Sequence, residues 1–219
     1  MPLLTAGPSR FLGGGAKWWQ VAGATCIAAY QPKGAADLAT SYVNLANPGT
    51  YNAAPGVAPT LGADGWDFNG STQYLSSGVL VNGSTHSVIV RFSAVTGNGM
   101  LFGTGRVGFS CLITPNNGGA AVGWRLTDGA IATYVAPPAT SGVLAMVPGQ
   151  GGYRHGALDL VLSSVAAGAT YPLAIACRND GGVIANFLAG TIAAFAIYSN
   201  NPATVAANIV ALTARMQAL

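Results

Sequence analysis

The stretch Gly65-Trp66-Asp67-Phe68-Asn69-Gly70-Ser71-Thr72-Gln73-Tyr74-Leu75 joins two short aromatic-rich runs through an Asn-Gly pair. Asn-Gly between such runs is a strong local signal for a tight β turn, because both residues tolerate the positive φ that a hairpin turn needs. The stretch therefore predicts a β hairpin that turns at Asn69-Gly70. Its aromatic side chains (Trp66, Phe68 and Tyr74) are expected to pack in a core or between sheets.

The segments on either side of this stretch also predict strands. From His86 to Val95, apolar side chains alternate, with His86, Val88, Val90, Phe92 and Ala94 on one face. Other apolar runs between turn residues predict strands at 26–30, 100–103, 107–113, 121–126, 131–135, 157–164, 172–178 and 183–198, the last with a turn at Gly190. Residues 31–64 are expected to form a long loop with one short strand near 41–45. Short strands at this spacing predict a single all-β sandwich over residues 24–219.

The C-terminal segment has a different period. Asn201 is a predicted N-cap, and Pro202 occupies the favoured first helical position. Apolar residues then recur at spacings of four and three, which predicts one helix over about 202–218 with a single apolar stripe (Val205, Ile209, Leu212, Met216 and Leu219). We expect this stripe to dock on the chain's own sheet.

The N-terminal residues 1–23 predict an extended arm with aromatic anchors. Pro2, Pro8 and the run Gly13-Gly14-Gly15 oppose regular structure, and Lys17-Trp18-Trp19 follows them. The aromatic side chains of the arm (Phe11, Trp18 and Trp19) are candidates for docking on a partner. For the pair Trp18 and Trp19, a fold-back onto the domain's own core is favoured over docking, because a tryptophan needs only a groove in which to be buried.

These patterns resemble the concanavalin A-like lectin and laminin-G-like jelly-roll domains. The front motif Trp66 to Leu75 is similar to that family's apolar-x-Phe-(Asp/Asn)-Gly hairpin, and Gly190 to Tyr198 followed by a helix is similar to its ending. The resemblance spans roughly residues 24–219. It implies a concanavalin A-like β-sandwich used for surface recognition, a fold also found in bacteriophage virion proteins.

The composition excludes several function classes. Only 7% of the residues are charged, and the net charge of +3 comes from scattered arginines, so no basic stripe for nucleic acid is present. No apolar run reaches transmembrane length, and we expect no membrane insertion. The three cysteines (Cys26, Cys111 and Cys177) have no metal-ligand spacing, and Cys111 and Cys177, which lie in apolar runs, are expected to be buried thiols. A surface so poor in charge is either covered by partner subunits or neutral and rich in Ser, Thr, Asn and Gly.

Catalytic residues are not predicted. All six acidic residues are aspartates. The jelly-roll glycosidases of the family that the chain resembles use two glutamates on one strand, one as nucleophile and one as acid. No Gly-x-Ser-x-Gly motif and no phosphate-binding loop occur. His86 and His155 are expected to be surface or hydrogen-bonded histidines.

Two kinds of ligand follow from the resemblance. Sugar binding needs an aromatic ring beside fixed polar groups, and the candidates are Trp124, Asp128, Tyr134, Tyr153 and Arg154. Calcium is the one cofactor that the resemblance leaves open, with Asp67, Asn69 and Asp180 as candidate ligands. Turn formation is the competing explanation for these three residues.

Two functions remain. The first is a non-enzymatic structural or adhesion component of a bacteriophage particle (a capsid decoration, tail or fibre protein). Its expected partners are other virion proteins, copies of itself and host surface glycans, and its expected location is the virion, assembled in the host cytoplasm. The second is a free carbohydrate-binding lectin module of a secreted or cell-surface protein. The N-terminus lacks the pattern of a signal peptide, which favours the first function.

Overall fold

The structure is a computed structural model that describes residues 17–106, 108–127 and 133–219. Seventeen strands and three short helices form within these ranges. The strands are β1 (Cys26–Tyr30), β2 (Ala54–Val57), β3 (Thr60–Gly62), β4 (Gly65–Asn69), β5 (Tyr74–Ser76), β6 (Ser87–Thr96), β7 (Phe102–Arg106), β8 (Phe109–Asn117), β9 (Ala121–Thr127), β10 (Thr133–Val135), β11 (Gly142–Val147), β12 (Gly151–Arg154), β13 (Ala157–Leu160), β14 (Ala174–Ile175), β15 (Arg178–Asp180), β16 (Val183–Ala185) and β17 (Ala189–Tyr198). The helices are α1 (Leu38–Ser41), α2 (Pro202–Ala207) and α3 (Ile209–Gln217).

In the part of the chain that the structure describes, the strands form two sheets that face each other. Sheet A has the order β13-β12-β11-β6-β17-β4-β3, and β1 also pairs with β17. Sheet B has the order β10-β9-β8-β7-β14-β5-β2, with β15 joined to β7 and β16 joined to β15. Pairing is antiparallel except between β15 and β7. The predicted all-β sandwich is confirmed.

The main core fills the space between the sheets. Alternate residues of β6 (Val88, Val90 and Phe92) point inward from sheet A, and alternate residues of β8 (Phe109, Cys111 and Ile113) point inward from sheet B. Such alternation is what a half-buried strand requires. The aromatic rings of Phe102 and Phe195 meet edge to face across the gap at 5.8 Å between centroids.

The stretch Trp66 to Leu75 forms a crossing between the sheets, and the prediction of a hairpin there is wrong. β4 pairs with β3 and β17 in sheet A, whereas β5 pairs with β2 and β14 in sheet B. The Asn69 side chain explains the wide turn, because its Oδ1 accepts the backbone N–H groups of Ser71, Thr72 and Gln73. Trp66 and Phe68 are buried in the main core, as predicted, and Tyr74 is half-buried. The hairpin in this region turns instead between β3 and β4.

The long strand β6 departs from simple alternation near its end. Ala94 has a φ of 53° and is exposed, so Val95 takes the core position that alternation gives to Ala94. The Val95 N–H donates to the Thr140 carbonyl at 3.0 Å. A local bulge of this kind shifts the faces of a strand by one residue.

A second core covers the outer face of sheet A. The predicted C-terminal stripe is confirmed, because Val205, Ile209, Leu212 and Met216 are buried there and Leu219 is half-buried against them. The segment forms two helices, which meet at Asn208, and not the single helix predicted. Asn201 is not a side-chain cap: it has a left-handed backbone, and its Nδ2 donates to the Gly23 carbonyl. No helix among the described residues combines the length and apolar character needed to span a bilayer.

Several other predicted boundaries are wrong. The segment predicted as a loop, residues 31–64, contains α1, β2 and β3, and Ser41 ends a helix rather than starting a strand. β11 and β12 were not predicted. The break within 183–198 falls at residues 186–188, and Gly190 lies within β17. Residues 131–132 of one predicted strand lie outside the described residues.

Candidate functional site

The outer face of sheet B carries the arrangement that best fits a ligand site. Along β9, Val122 and Trp124 point into the main core, so Gly123 and Arg125 point outward. On β8 the outward positions include Leu112 and Thr114. Since α2 and α3 cover sheet A, this face of sheet B is the one that the C-terminal helices leave uncovered.

Tyr134 supplies an aromatic ring on this face. It lies on the edge strand β10 directly opposite Gly123 of β9, and 56% of it is exposed. The ring lies across Gly123, because a Cβ placed on that glycine would come within 3.0 Å of Tyr134 Cε1. Because Gly123 has no side chain, one face of the Tyr134 ring packs against the β9 backbone and the other face is exposed to solvent.

A groove of about 290 Å³ begins beside this ring. The lining contributed by the strands is Leu112, Thr114, Asn117, Gly123, Arg125 and Tyr134, and neighbouring loops add Asn98, Met100 and Asn186. The Asn98 Oδ1 accepts the Gly118 backbone N–H, which fixes the orientation of that amide and leaves Nδ2 as its donor end. The groove thus combines one exposed aromatic ring with amide and guanidinium groups.

Trp124 does not belong to this groove, which corrects its prediction as a sugar-stacking residue. The ring is 1% exposed in the main core, so it has no face to offer a ligand. Its Nε1 donates to Asp159 Oδ2 at 3.3 Å. Alternation along β9 places Trp124 and Tyr134 on opposite sides of sheet B.

Arg154 has an internal structural role, which corrects its prediction as a sugar ligand. Its Nη2 lies 2.8 Å from Asp159 Oδ2, and the two side chains are only 13% and 15% exposed. The same guanidinium donates to the carbonyls of Val135, at 3.0 Å, and Pro137. Arg154 therefore ties β12 of sheet A to β10 of sheet B and supports the strand that carries Tyr134.

The remaining sugar candidates lie elsewhere. Tyr153 is half-buried against the second core, and burial raises the pKa of its phenol. Asp128 lies outside the described residues. Of the five predicted sugar ligands, the groove thus contains Tyr134.

The calcium candidates are not brought together. Asp67 Oδ1 accepts the Thr191 hydroxyl at 2.5 Å on sheet A, and Asn69 shapes the crossing to sheet B. Asp180 pairs with Arg178 at 2.8 Å on sheet B. Among the described residues, no cluster of three or more His, Cys, Asp or Glu side chains could hold a metal ion.

The aromatic anchors of the arm fold back on the chain. Trp18 is 6% exposed in the second core, and Trp19 is half-buried against it. Tyr198 donates its hydroxyl to the Trp19 carbonyl at 2.7 Å, which fixes this segment on β17. Phe11 lies outside the described residues.

The nucleophilic side chains are poorly disposed for chemistry. Burial raises the pKa of Cys26, Cys111 and Cys177 to about 12 in each case, so these thiols stay protonated. His86 Nδ1 accepts the Asn82 backbone N–H at 3.1 Å, and burial lowers its pKa. These groups fit structural roles.

The sequence predictions did not include the amide rim of the groove. Asn98 and Asn186 lie in separate loops and Asn117 ends β8, so no local pattern links them. Arg125 could have been placed outward by alternation once Trp124 was assigned to the core. Its position beside Tyr134 depends on the pairing of β9 with β10, which is not a local property.

Comparison with known proteins supports the fold. No family model and no curated protein matches the chain. A solved structure that it resembles is domain 4 of AbnA, a GH43 extracellular arabinanase from Geobacillus stearothermophilus, in complex with arabinotriose. The identity is 13%, the TM-score is 0.52, and the alignment covers 87% of this chain and 98% of that domain. Such a likeness establishes a shared β-sandwich and nothing about the ligand.

Two structures of the NanB sialidase align less well. One, from Streptococcus pneumoniae, is 14% identical with a TM-score of 0.38, and the alignment covers 64% of this chain and 27% of that chain. The other is 15% identical with a TM-score of 0.39, covering 57% of this chain and 24% of the sialidase chain. The present chain thus spans about a quarter of the length of these sialidases.

Proposed function

We propose that this protein is a non-enzymatic β-sandwich module that binds a glycan in the groove beside Tyr134. The observation that carries the proposal is an exposed tyrosine ring laid over Gly123 at the edge of a groove rimmed by amides. The C–H face of a sugar packs on such a ring, and its hydroxyls need fixed polar partners. The Gly118 N–H fixes the Asn98 amide in this way, and Asn117 and Arg125 add further polar groups.

The size of the groove supports a short ligand segment. Its volume of about 290 Å³ is just below that of ligand pockets for drug-sized molecules, roughly 300–1,000 Å³. One or two sugar units fit that range. An open groove at a sheet edge also lets a longer chain continue past the site at both ends.

The aspartates support a role without catalysis. Each one that the structure describes has a structural partner or a capping role: Asp37 with Thr40, Asp64 with Lys33, Asp67 with Thr191, Asp159 with Arg154, and Asp180 with Arg178. A glycosidase needs two carboxyl groups about 5–10 Å apart across the scissile bond. The groove lining contains none.

Arabinotriose is a reasonable first probe, since the AbnA domain with this fold was solved with it. Titration calorimetry with arabinotriose and a panel of neutral oligosaccharides would detect binding. Tyr134→Ala is expected to weaken binding at least tenfold, about 1.4 kcal/mol. Tyr171→Ala removes another exposed tyrosine away from the groove and should bind as the parent does.

A second variant separates stacking from loss of fold. Gly123→Ala keeps Tyr134 but places a methyl group against its ring, so it should weaken binding while the melting temperature changes little. Full binding by both Tyr134→Ala and Gly123→Ala would refute the groove as the site. Failure of every neutral glycan on a broad array to bind would refute the sugar-binding function itself.

The second candidate function is a structural or adhesion component of a bacteriophage particle, located in the virion, and it includes the first as its means of contact. The low charged fraction of 7% favours it, because a surface of this kind is suited to close packing with neighbours. Light scattering at rising concentration and imaging of particles that contain the chain would test it. A strict monomer absent from particles would favour a free extracellular lectin module.

A further inference from the structure

A second cleft, of about 330 Å³, lies on the outer face of sheet A at the end of α3. Its floor is made of small residues on three neighbouring strands: Ser93 on β6, Gly142 on β11 and Ala193 on β17. Helix α3 ends at Gln217, which lines one side. The opposite side is formed by Lys33 and Asp64, and the Lys33 N–H donates to the Ala193 carbonyl at 3.4 Å.

Basic side chains gather at this cleft in a chain that has few of them. The sequence contains nine Lys and Arg residues and two His residues. Lys33 and Arg91 line the cleft, and His155 lies next to its floor residue Gly142. The imidazole of His155 rests on Gly142, because a Cβ on that glycine would fall 1.8 Å from His155 Cε1. Among the lining residues that the structure describes, Asp64 is the one with a carboxylate.

The contacts that Lys33 and Arg91 make within the protein leave both side chains able to bind an anion. Asp64 lies 3.4 Å from the Lys33 ammonium and is 73% exposed, so this pair is weak and open to solvent. Arg91 is half-buried, and its Nη1 donates to the Met216 carbonyl at 2.8 Å. That bond holds the guanidinium in place at the end of α3. The other N–H groups of its planar fork can then donate to a carboxylate or phosphate edge.

From this geometry we propose that the cleft binds a small oxyanion-bearing ligand of about monosaccharide size, such as a sugar acid. Arg91 binds the oxyanion, Lys33 adds charge, and Ser93, Ser141 and Gln217 are placed to meet hydroxyl groups. The site lies on the sheet opposite the Tyr134 groove. It is independent of the proposed glycan function.

The test is titration of the intact chain with D-glucuronate, with D-glucose as the matched neutral sugar and inorganic phosphate as a second oxyanion. Glucuronate or phosphate should bind, glucose should not, and affinity should fall as sodium chloride is raised. Displacement of glucuronate by phosphate would show that the oxyanion suffices. Absence of displacement would show that the sugar body is also recognised. Binding of neither anion would overturn the proposal.

Matched variants locate the site. Arg91→Gln should weaken anion binding about tenfold or more, whereas Arg106→Gln removes an exposed arginine of sheet B and should have no effect. If Arg91→Gln does not fold, Lys33→Gln replaces it as the variant that should weaken anion binding. Lys17→Gln is then the control that should not. Tyr134→Ala should bind the anion normally. Equal losses in Arg106→Gln and Arg91→Gln would show non-specific attraction and overturn the assignment.

Discussion

At the scale of single residues, Asn44 shows how this fold accommodates a polar group in its interior. The residue is completely buried near β1. Its Nδ2 donates to the carbonyls of Ile27 and Thr50, both at 2.7 Å. Its Oδ1 accepts the N–H groups of Ala29 at 2.9 Å and Ala46 at 3.0 Å. All four hydrogen bonds of the amide are therefore made, and they hold the segment after α1 against sheet A.

Replacing Asn44 by alanine should lower the free energy of unfolding by at least about 2 kcal/mol, because several buried backbone groups lose their partners. Asn44→Asp should also destabilise, since a carboxylate cannot donate to Ile27 and Thr50. Asn47→Ala, at an exposed position nearby, should change stability by less than about 0.5 kcal/mol. Urea denaturation measures all three. Equal stability of Asn44→Ala and Asn47→Ala would contradict this role.

His86 predicts a pH dependence. Burial lowers its pKa below the ordinary value of 6.5, and its Nδ1 can accept the Asn82 N–H only while that nitrogen is unprotonated. In the unfolded chain the His86 imidazole is protonated as the pH falls through about 6.5, whereas in the folded chain protonation requires a lower pH. This part of the stability is therefore present above pH 6.5 and is lost as pH falls below it. His86→Gln should show a smaller loss of melting temperature between pH 7 and 5 than the parent. An identical slope would exclude His86 as the cause.

At the scale of elements, the sequence located turns better than it located strand partners. Asn69-Gly70 is a turn, as predicted, but the chain crosses between sheets there. Local residues decide that a chain bends, whereas the partner of β4 depends on β17, more than 100 positions later. The sequence predicts Tyr134 as a ligand-binding residue. It does not predict the amide groups around the groove, because these come from loops that only the folded sandwich brings together.

The C-terminal helices offer a test of the second core. Leu212 is fully buried against sheet A, and Val210 on the same helix is 69% exposed. Leu212→Ala should lower the free energy of unfolding by about 2–5 kcal/mol, because it leaves a cavity under α3. Val210→Ala should change it by less than about 0.5 kcal/mol. Chemical denaturation measures both variants. Equal free energies of unfolding would contradict the role of Leu212 in the second core.

At the scale of the whole molecule, the two ends of the described chain pack on the outer face of sheet A and not on that of sheet B. Trp18 and Val21 near one end and α2 and α3 at the other meet on the outer face of sheet A. Arg215 joins them, because its Nη1 donates to the Gln20 carbonyl at 2.9 Å. Sheet B keeps its outer face, with Tyr134, free of this covering. The asymmetry gives the proposed glycan groove its access to solvent.

This arrangement predicts how truncations from the N-terminus should behave. Removing residues 1–16 keeps Trp18, Val21 and the bond from Tyr198 to the Trp19 carbonyl, so the melting temperature should remain close to that of the parent. Removing residues 1–23 takes away two buried side chains and that bond, so the melting temperature should fall by several degrees. Thermal melts followed by circular dichroism measure both.

The same two truncations test whether the arm serves assembly. If residues 1–16 dock on a neighbour, the shorter truncation should lose self-association in light scattering, or incorporation into particles, while its fold is intact. Because that variant keeps the second core, such a loss cannot be attributed to unfolding. Normal assembly of the truncated chain would assign the arm no part in it, and a large fall in melting temperature would show that residues 1–16 belong to the fold.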